Sequence, residues 1–202
     1  MAAPAPALEL LLAPAGTLPE TSRRALVSEV ESIWRDGRFT LRWLSASDRG
    51  EGGMSLRVLV TPATVASAAE GNSWGVGKLF RFDDARAIAV ASMAGAERIV
   101  DEGTGKETGT VPGMREHRLG IVLGRAIAHE IGHYVLQTNT HASSGLMRAT
   151  IDAREFADVR SGAFQLDRAA RAHLAAAARI ARMPPPPFSY PLVRYPSRRG
   201  PD

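Results

Sequence analysis

The sequence predicts an α+β fold: a twisted, mostly β sheet with one backing helix and a second, longer helix that carries the chemically informative residues. Three observations lead there. A strand, a helix and two strands follow one another before residue 62; a long amphipathic pattern runs from Glu116 to Gln137; and a 202-residue chain that is 45% hydrophobic and 23% charged has the length and composition of one domain. A chain of this size buries enough surface to fold without a disulfide or a structural metal, so a metal site in it points to function.

The first strand is Leu8–Ala13, after an Ala/Pro start. Thr17-Leu18-Pro19-Glu20 then has the form of a helix start, with Thr17 as cap and Glu20 placed for a capping box. Leu26, Val30, Ile33 and Trp34 recur at helical spacing, and Gly37 supplies a stop. Phe39–Leu44 and Met54–Thr61 read as strands separated by the turn-rich Ser45–Gly53. Residues 71–84 mix glycine with aromatics and have no assignable period, whereas Ala85–Ala94 reads as a strand. Asp101–Gly113, rich in charge and glycine, reads as a loop. After the Glu116–Gln137 helix comes a second long helix, Gln165–Arg182, capped by Asp167. The domain is therefore expected over 8–183, followed by a Pro-rich, disordered tail over 184–202.

Composition removes several function classes. The chain has no Cys, which excludes thiol nucleophiles, cysteine zinc sites and iron–sulfur clusters. Its net charge of +4 comes almost wholly from Arg, with Lys only at 78 and 106, and the Arg residues are scattered without interleaved aromatics, so no nucleic-acid partner is expected. No apolar run approaches the roughly 18 residues of a membrane span, so no membrane partner is expected either. Met1–Pro14 lacks the basic start and longer apolar core of a signal peptide, which leaves a cytoplasmic protein by default or an exported one given without its signal.

The stretch Ala128-His129-Glu130-Ile131-Gly132-His133 carries the chemistry. Two His four apart on a helix lie about 40° apart around its axis and one turn along it, so both imidazoles reach one Zn²⁺. With Leu119, Leu123, Ala126, Ile127 and Tyr134 facing inward, Glu130 falls near the middle of the buried face and the two His at its margin. A buried carboxylate needs a partner, and a metal with its water supplies one. A third ligand is then required, for which the candidates are His141, eight residues past His133, and Glu155. Asn139 is the candidate left-handed residue of the intervening turn, and Glu130 could alternatively pair with Arg125 or Arg148. His117, about 18 Å along the helix from His129, cannot share the site, and His173 lies in an Ala-rich helix without acidic or His partners.

His129, Glu130, His133, His141 and Met147 resemble the metzincin zinc metallopeptidases, whose signature HExxHxxGxxH is followed by a Met-turn. The spacing from His129 to Met147 equals that from first His to Met in matrix-metalloproteinase-like members. The match departs at Leu136, where the family has Gly, and at Asn139, where it has its third His, so that His141 comes two residues late. The resemblance implies a zincin-type fold and a zinc-dependent metallopeptidase acting on a peptide or protein substrate. His129, His133 and His141 would be ligands, Glu130 the base that activates a metal-bound water, and Met147 the apolar floor. Some members place a Tyr two residues after the Met to stabilise the oxyanion; here that position is Ala149. The Ala85–Ala94 strand could be the edge that pairs with an extended substrate, and an ordinary interior strand fits the same pattern. Outside the resemblance, the same residues also fit a binding or regulatory protein with a structural or vestigial zinc site, and other first-row metals suit His ligands.

Overall fold

The computed structural model describes residues 7–12, 18–35, 40–44, 54–63, 75–82, 87–105 and 111–180. In chain order the elements are β1 (Ala7–Leu12), α1 (Glu20–Trp34), β2 (Thr40–Leu44), β3 (Met54–Thr61), β4 (Gly77–Arg81), β5 (Ala87–Ser92), α2 (Met93–Thr104), α3 (Met114–Val135), α4 (Ala153–Ala157) and α5 (Arg168–Ile180). They form a mixed α/β architecture around one five-stranded sheet in the order β2-β1-β3-β5-β4. All neighbouring pairs are parallel except β4 with β5. The expected combination of a sheet with a backing helix and a site helix is present as a mixed α/β arrangement whose sheet is mostly parallel, with α1 serving as the connection from β1 to its parallel neighbour β2.

Alternation within the strands sets the faces. Leu56, Val58 and Val60 of β3 are buried while Arg57 and Leu59 between them are exposed. Leu10 lies beside Leu56, Val58 beside Ala89 and Val60 beside Ala91, which gives the sheet a continuous apolar face. The small side chains of Ala87, Ala89 and Ala91 make β5 a low surface, and α3 lies against it as well as against β3 and β4. Behind α3 runs α1, whose Leu26, Val30, Ile33 and Trp34 join the core as their spacing predicts. Gly120 and Gly124 let the two helices approach closely: a Cβ at Gly120 would collide with the Ser22 carbonyl, and one at Gly124 would stand 2.9 Å from that of Leu26. Ser22 Oγ also donates to the Glu116 carbonyl at 2.8 Å.

Several local expectations change. The α1 N-cap is Pro19, without a side-chain cap bond, and Glu20 pairs with Arg23 rather than closing a capping box; Thr17, Gly37 and Phe39 lie outside the described residues. The stretch left unassigned at 71–84 contains β4. The strand expected over Ala85–Ala94 is described over Ala87–Ser92 and is interior, paired with β3 on one side and β4 on the other, so it is not an edge. The chain turns directly from β5 into α2, because Ser92 Oγ accepts from the Gly95 N–H at 3.0 Å and caps the helix. Asp101–Thr104, expected as loop, is the last turn of α2, ended by Gly105 at φ 63°. Residues 153–157, not read as helical, form α4 behind the Asp152 cap. Asp167 does cap α5, with Oδ1 accepting from Ala170 N–H at 2.7 Å. Ser45–Gly53 and the tail over 184–202 lie outside the described residues, and no described helix is long and apolar enough to cross a membrane.

Candidate metal centre

The C-terminal third of α3 and the loop after it bring His129, His133 and His141 together, with a ligand atom from each within 4.8 Å of the others. The ring centroids stand 4.6 Å (129 to 133), 4.9 Å (133 to 141) and 5.3 Å (129 to 141) apart. Nitrogens held tetrahedrally around zinc at about 2.05 Å stand about 3.3 Å apart, and the Nε2 atoms of His129 and His133 are 3.0 Å apart.

The orientation of the first two rings is fixed from outside. His129 Nδ1 donates to the Leu146 carbonyl and His133 Nδ1 to the Thr138 carbonyl, each at 2.8 Å. A carbonyl only accepts, so in each neutral ring the proton sits on Nδ1 and Nε2 presents its lone pair. Two lone pairs then face one another at 3.0 Å on a largely buried site, an arrangement that a shared cation relieves. Protonation is the costly remedy, because burial pushes His129 down to about 4 and lowers His133 as well. The donor set therefore fits a metal ion.

Glu130 is 7% exposed, and burial raises its carboxyl to about 7 against the opposing effect of the Leu79 N–H of β4, which it accepts. Gly77 on the same strand makes room for it: a Cβ there would stand 2.9 Å from Glu130 Oε1 and 3.3 Å from the Ala126 carbonyl. The ion-pair partners considered for Glu130 are engaged elsewhere, which corrects that expectation. Arg125 pairs with Glu29, and Arg148 holds Glu155 through two bonds of 2.7 and 3.1 Å. Glu155, the alternative third ligand, is thus tied up by Arg148 and stands outside the histidine group.

The loop explains how His141 arrives two residues late. The left-handed residue after α3 is Gln137, at φ 51°, not Asn139. Leu136 N–H still reaches the Gly132 carbonyl at 2.9 Å, and after the reversal Thr138 N–H reaches that of His133 at 3.3 Å. Farther on, Ala142 N–H donates to the Met147 carbonyl at 2.8 Å and Leu146 N–H to that of Gln165 at 2.9 Å, closing a compact turn around Gly145 at φ 73°. Met147 is buried against Gly132, whose lack of a side chain leaves the space that the thioether fills. His117 and His173 are exposed and remote in sequence from the site.

The orienting groups that sequence reasoning missed are the carbonyls of Thr138 and Leu146 and the N–H of Leu79, because backbone groups leave no residue-type signal. In comparison with known proteins, no protein-family model matches this chain, and no curated protein is significantly similar to it.

Proposed function

We propose that this chain is a zinc-dependent metallopeptidase of the metzincin type, with His129, His133 and His141 as ligands and Glu130 as general base. The observation that carries the reading is the pair of facing Nε2 lone pairs within reach of a third His, beside a buried carboxylate that forms no ion pair among the described residues. Three His ligands, one of them exposed, leave a coordination position open to solvent, which favours catalysis over a closed structural site.

Zinc bound there supplies Lewis-acid polarisation of a carbonyl and lowers the pKa of water to about 7. Glu130 accepts a proton from the attacking water and returns it to the amine nitrogen as the C–N bond breaks. The Leu79 N–H keeps that carboxylate aimed from the strand side. An extended peptide is accommodated along β4, whose second edge pairs with no strand among the described residues, in place of the interior Ala87–Ser92 strand. The fold supports the same reading through its order of strand, helix, four strands and, after the intervening α2, the site helix, with α1 backing α3.

Elemental analysis of the purified chain tests the site. About one zinc per chain is expected in the native protein and in Glu155→Ala, and a large loss in His141→Ala; loss in Glu155→Ala with retention in His141→Ala would reverse the ligand assignment. Cleavage of a mixed peptide library, abolished by a chelator and restored by zinc, tests the activity, and a zinc-loaded chain that cleaves nothing sinks it.

Gly77→Ala should separate positioning of the base from metal binding. The added methyl meets the end of the Glu130 side chain, so the carboxylate moves while the strand stays paired. A displacement of about 1 Å costs on the order of 10²-fold in rate. The expected result is unchanged zinc content with kcat down by about that factor, and an unaltered kcat would remove Gly77 from the account.

A further inference from the structure

Arg81 is the last residue of β4 and its side chain leaves the strand toward the end of α3. One guanidinium nitrogen donates to Gln137 Oε1 at 2.8 Å and the other to the His133 carbonyl. Gln137 in turn donates through Nε2 to the Tyr134 carbonyl at 2.6 Å. The cation thus sits at a helix C-terminus, where carbonyls lack intrahelical partners and positive charge is favoured.

Its side-chain partner is the unusual one. Gln137 is the described non-glycine residue at positive φ, a conformation that L side chains adopt at a cost, and it stands where helices ordinarily end in Gly or Asn. Both ends of its amide are held, by Arg81 and by Tyr134. The reversal at Gln137 turns the chain so that Thr138 presents its carbonyl to His133 Nδ1 and its N–H to the His133 carbonyl, the same oxygen that Arg81 bonds. His141 follows three residues later.

We propose that Arg81 is a positioning residue of the metal centre: from the edge strand it holds Gln137 in the left-handed turn that orients His133 and delivers His141. The inference rests on the metal reading above and goes beyond it, because it ties ligand geometry to the strand on which a substrate would lie. Replacement of groups that orient metal ligands typically weakens metal binding by about 10–100-fold.

The test uses the full chain, with zinc affinity from competition against a chromogenic chelator and cobalt(II) visible absorption as the report on ligand geometry. Arg81→Ala is expected to weaken zinc binding at least about tenfold and to lower or shift the tetrahedral cobalt bands, with Arg81→Lys recovering part of the loss. Gln137→Gly adopts the left-handed turn without help, so Arg81→Ala should cost much less in that background than in the native one. Such rescue would not follow if Arg81 merely stabilised the fold, and far-UV circular dichroism with a urea titration of the metal-free variants monitors folding separately. Native affinity and native cobalt spectra in Arg81→Ala overturn this inference alone, as does an equal loss in both backgrounds. Failure of the native chain to bind zinc or cobalt overturns the metal reading and this inference with it.

Discussion

Glu130→Gln is expected to leave the zinc content of the protein unchanged and to lower peptide turnover by about 10²–10⁴-fold, the usual contribution of a general base. Gln keeps the shape and the acceptor that meets the Leu79 N–H, but it cannot take a proton. The metal-free chain gives a second, independent readout. Folded Glu130 holds its proton up to about 7, against 4.5 as the ordinary value, so between those pH values the folded state binds more protons and its stability falls as pH rises. His129, lowered by burial from 6.5 to about 4, works the other way, adding stability as pH rises through that interval, and His133 shifts in the same direction. Removing the carboxyl leaves only the histidine slope. Relative to the native chain, Glu130→Gln should therefore gain about 3 kcal/mol between pH 4.5 and 7, at 1.36 kcal/mol per pKa unit. Urea unfolding in a chelator at several pH values measures it, and parallel pH profiles for the two proteins would mean that the carboxyl is not held neutral by burial. Retained turnover would sink the catalytic role.

The helix bearing the site was readable because its chemistry violates its own pattern: Glu130 falls on an apolar face, and such a breach marks either an error or a function. The strands β1, β3 and β5 were readable for the opposite reason, since their apolar runs agree with their burial. By contrast β4 has no period to find. Gly77 is there to leave space for the Glu130 carboxylate and Arg81 to reach the end of α3, so its composition answers to contacts more than 40 residues away in sequence. The α2 helix was hidden by its lack of a linker from β5 and by Gly103, which resembles a loop residue but allows close approach to α4: a Cβ there would stand 2.5 Å from the Ala153 carbonyl. The irregular His141 spacing was legible as a longer turn, but not its pivot, because nothing local makes Gln137 a left-handed residue. Glu155 could not be told from a ligand until its bidentate partner Arg148 was in view.

Arg125 is where the largest loss of stability is expected. It is 1% exposed, yet its donors are well used: Nε reaches Glu29 at 2.7 Å, and one terminal nitrogen reaches the carbonyls of Phe156, Asp158 and Glu155 at 2.8, 3.0 and 3.3 Å. Its guanidinium also lies 4.1 Å from the centre of the Phe164 ring. One side chain of α3 thus fastens α1, α4 and the segment before α5. Arg125→Ala leaves the Glu29 carboxylate without its buried partner and takes a donor from three carbonyls, of which that of Asp158 still accepts from the Ser161 N–H at 3.0 Å, so a loss of about 3–5 kcal/mol is expected, the cost typical of breaking a buried ion pair from one side. The double variant Arg125→Met with Glu29→Met apportions the loss. Replacing both charges by apolar groups of similar volume is often close to neutral, but here it also takes the Arg125 donor from the buried Phe156 carbonyl and the half-buried one of Glu155, and a buried acceptor without a partner costs about 1–3 kcal/mol. Recovery should therefore be partial. Urea unfolding of the two variants beside the native chain decides it: full recovery would assign the effect to the ion pair, whereas a double variant no better than Arg125→Ala would place it in the carbonyls that hold the α4 segment against the site helix.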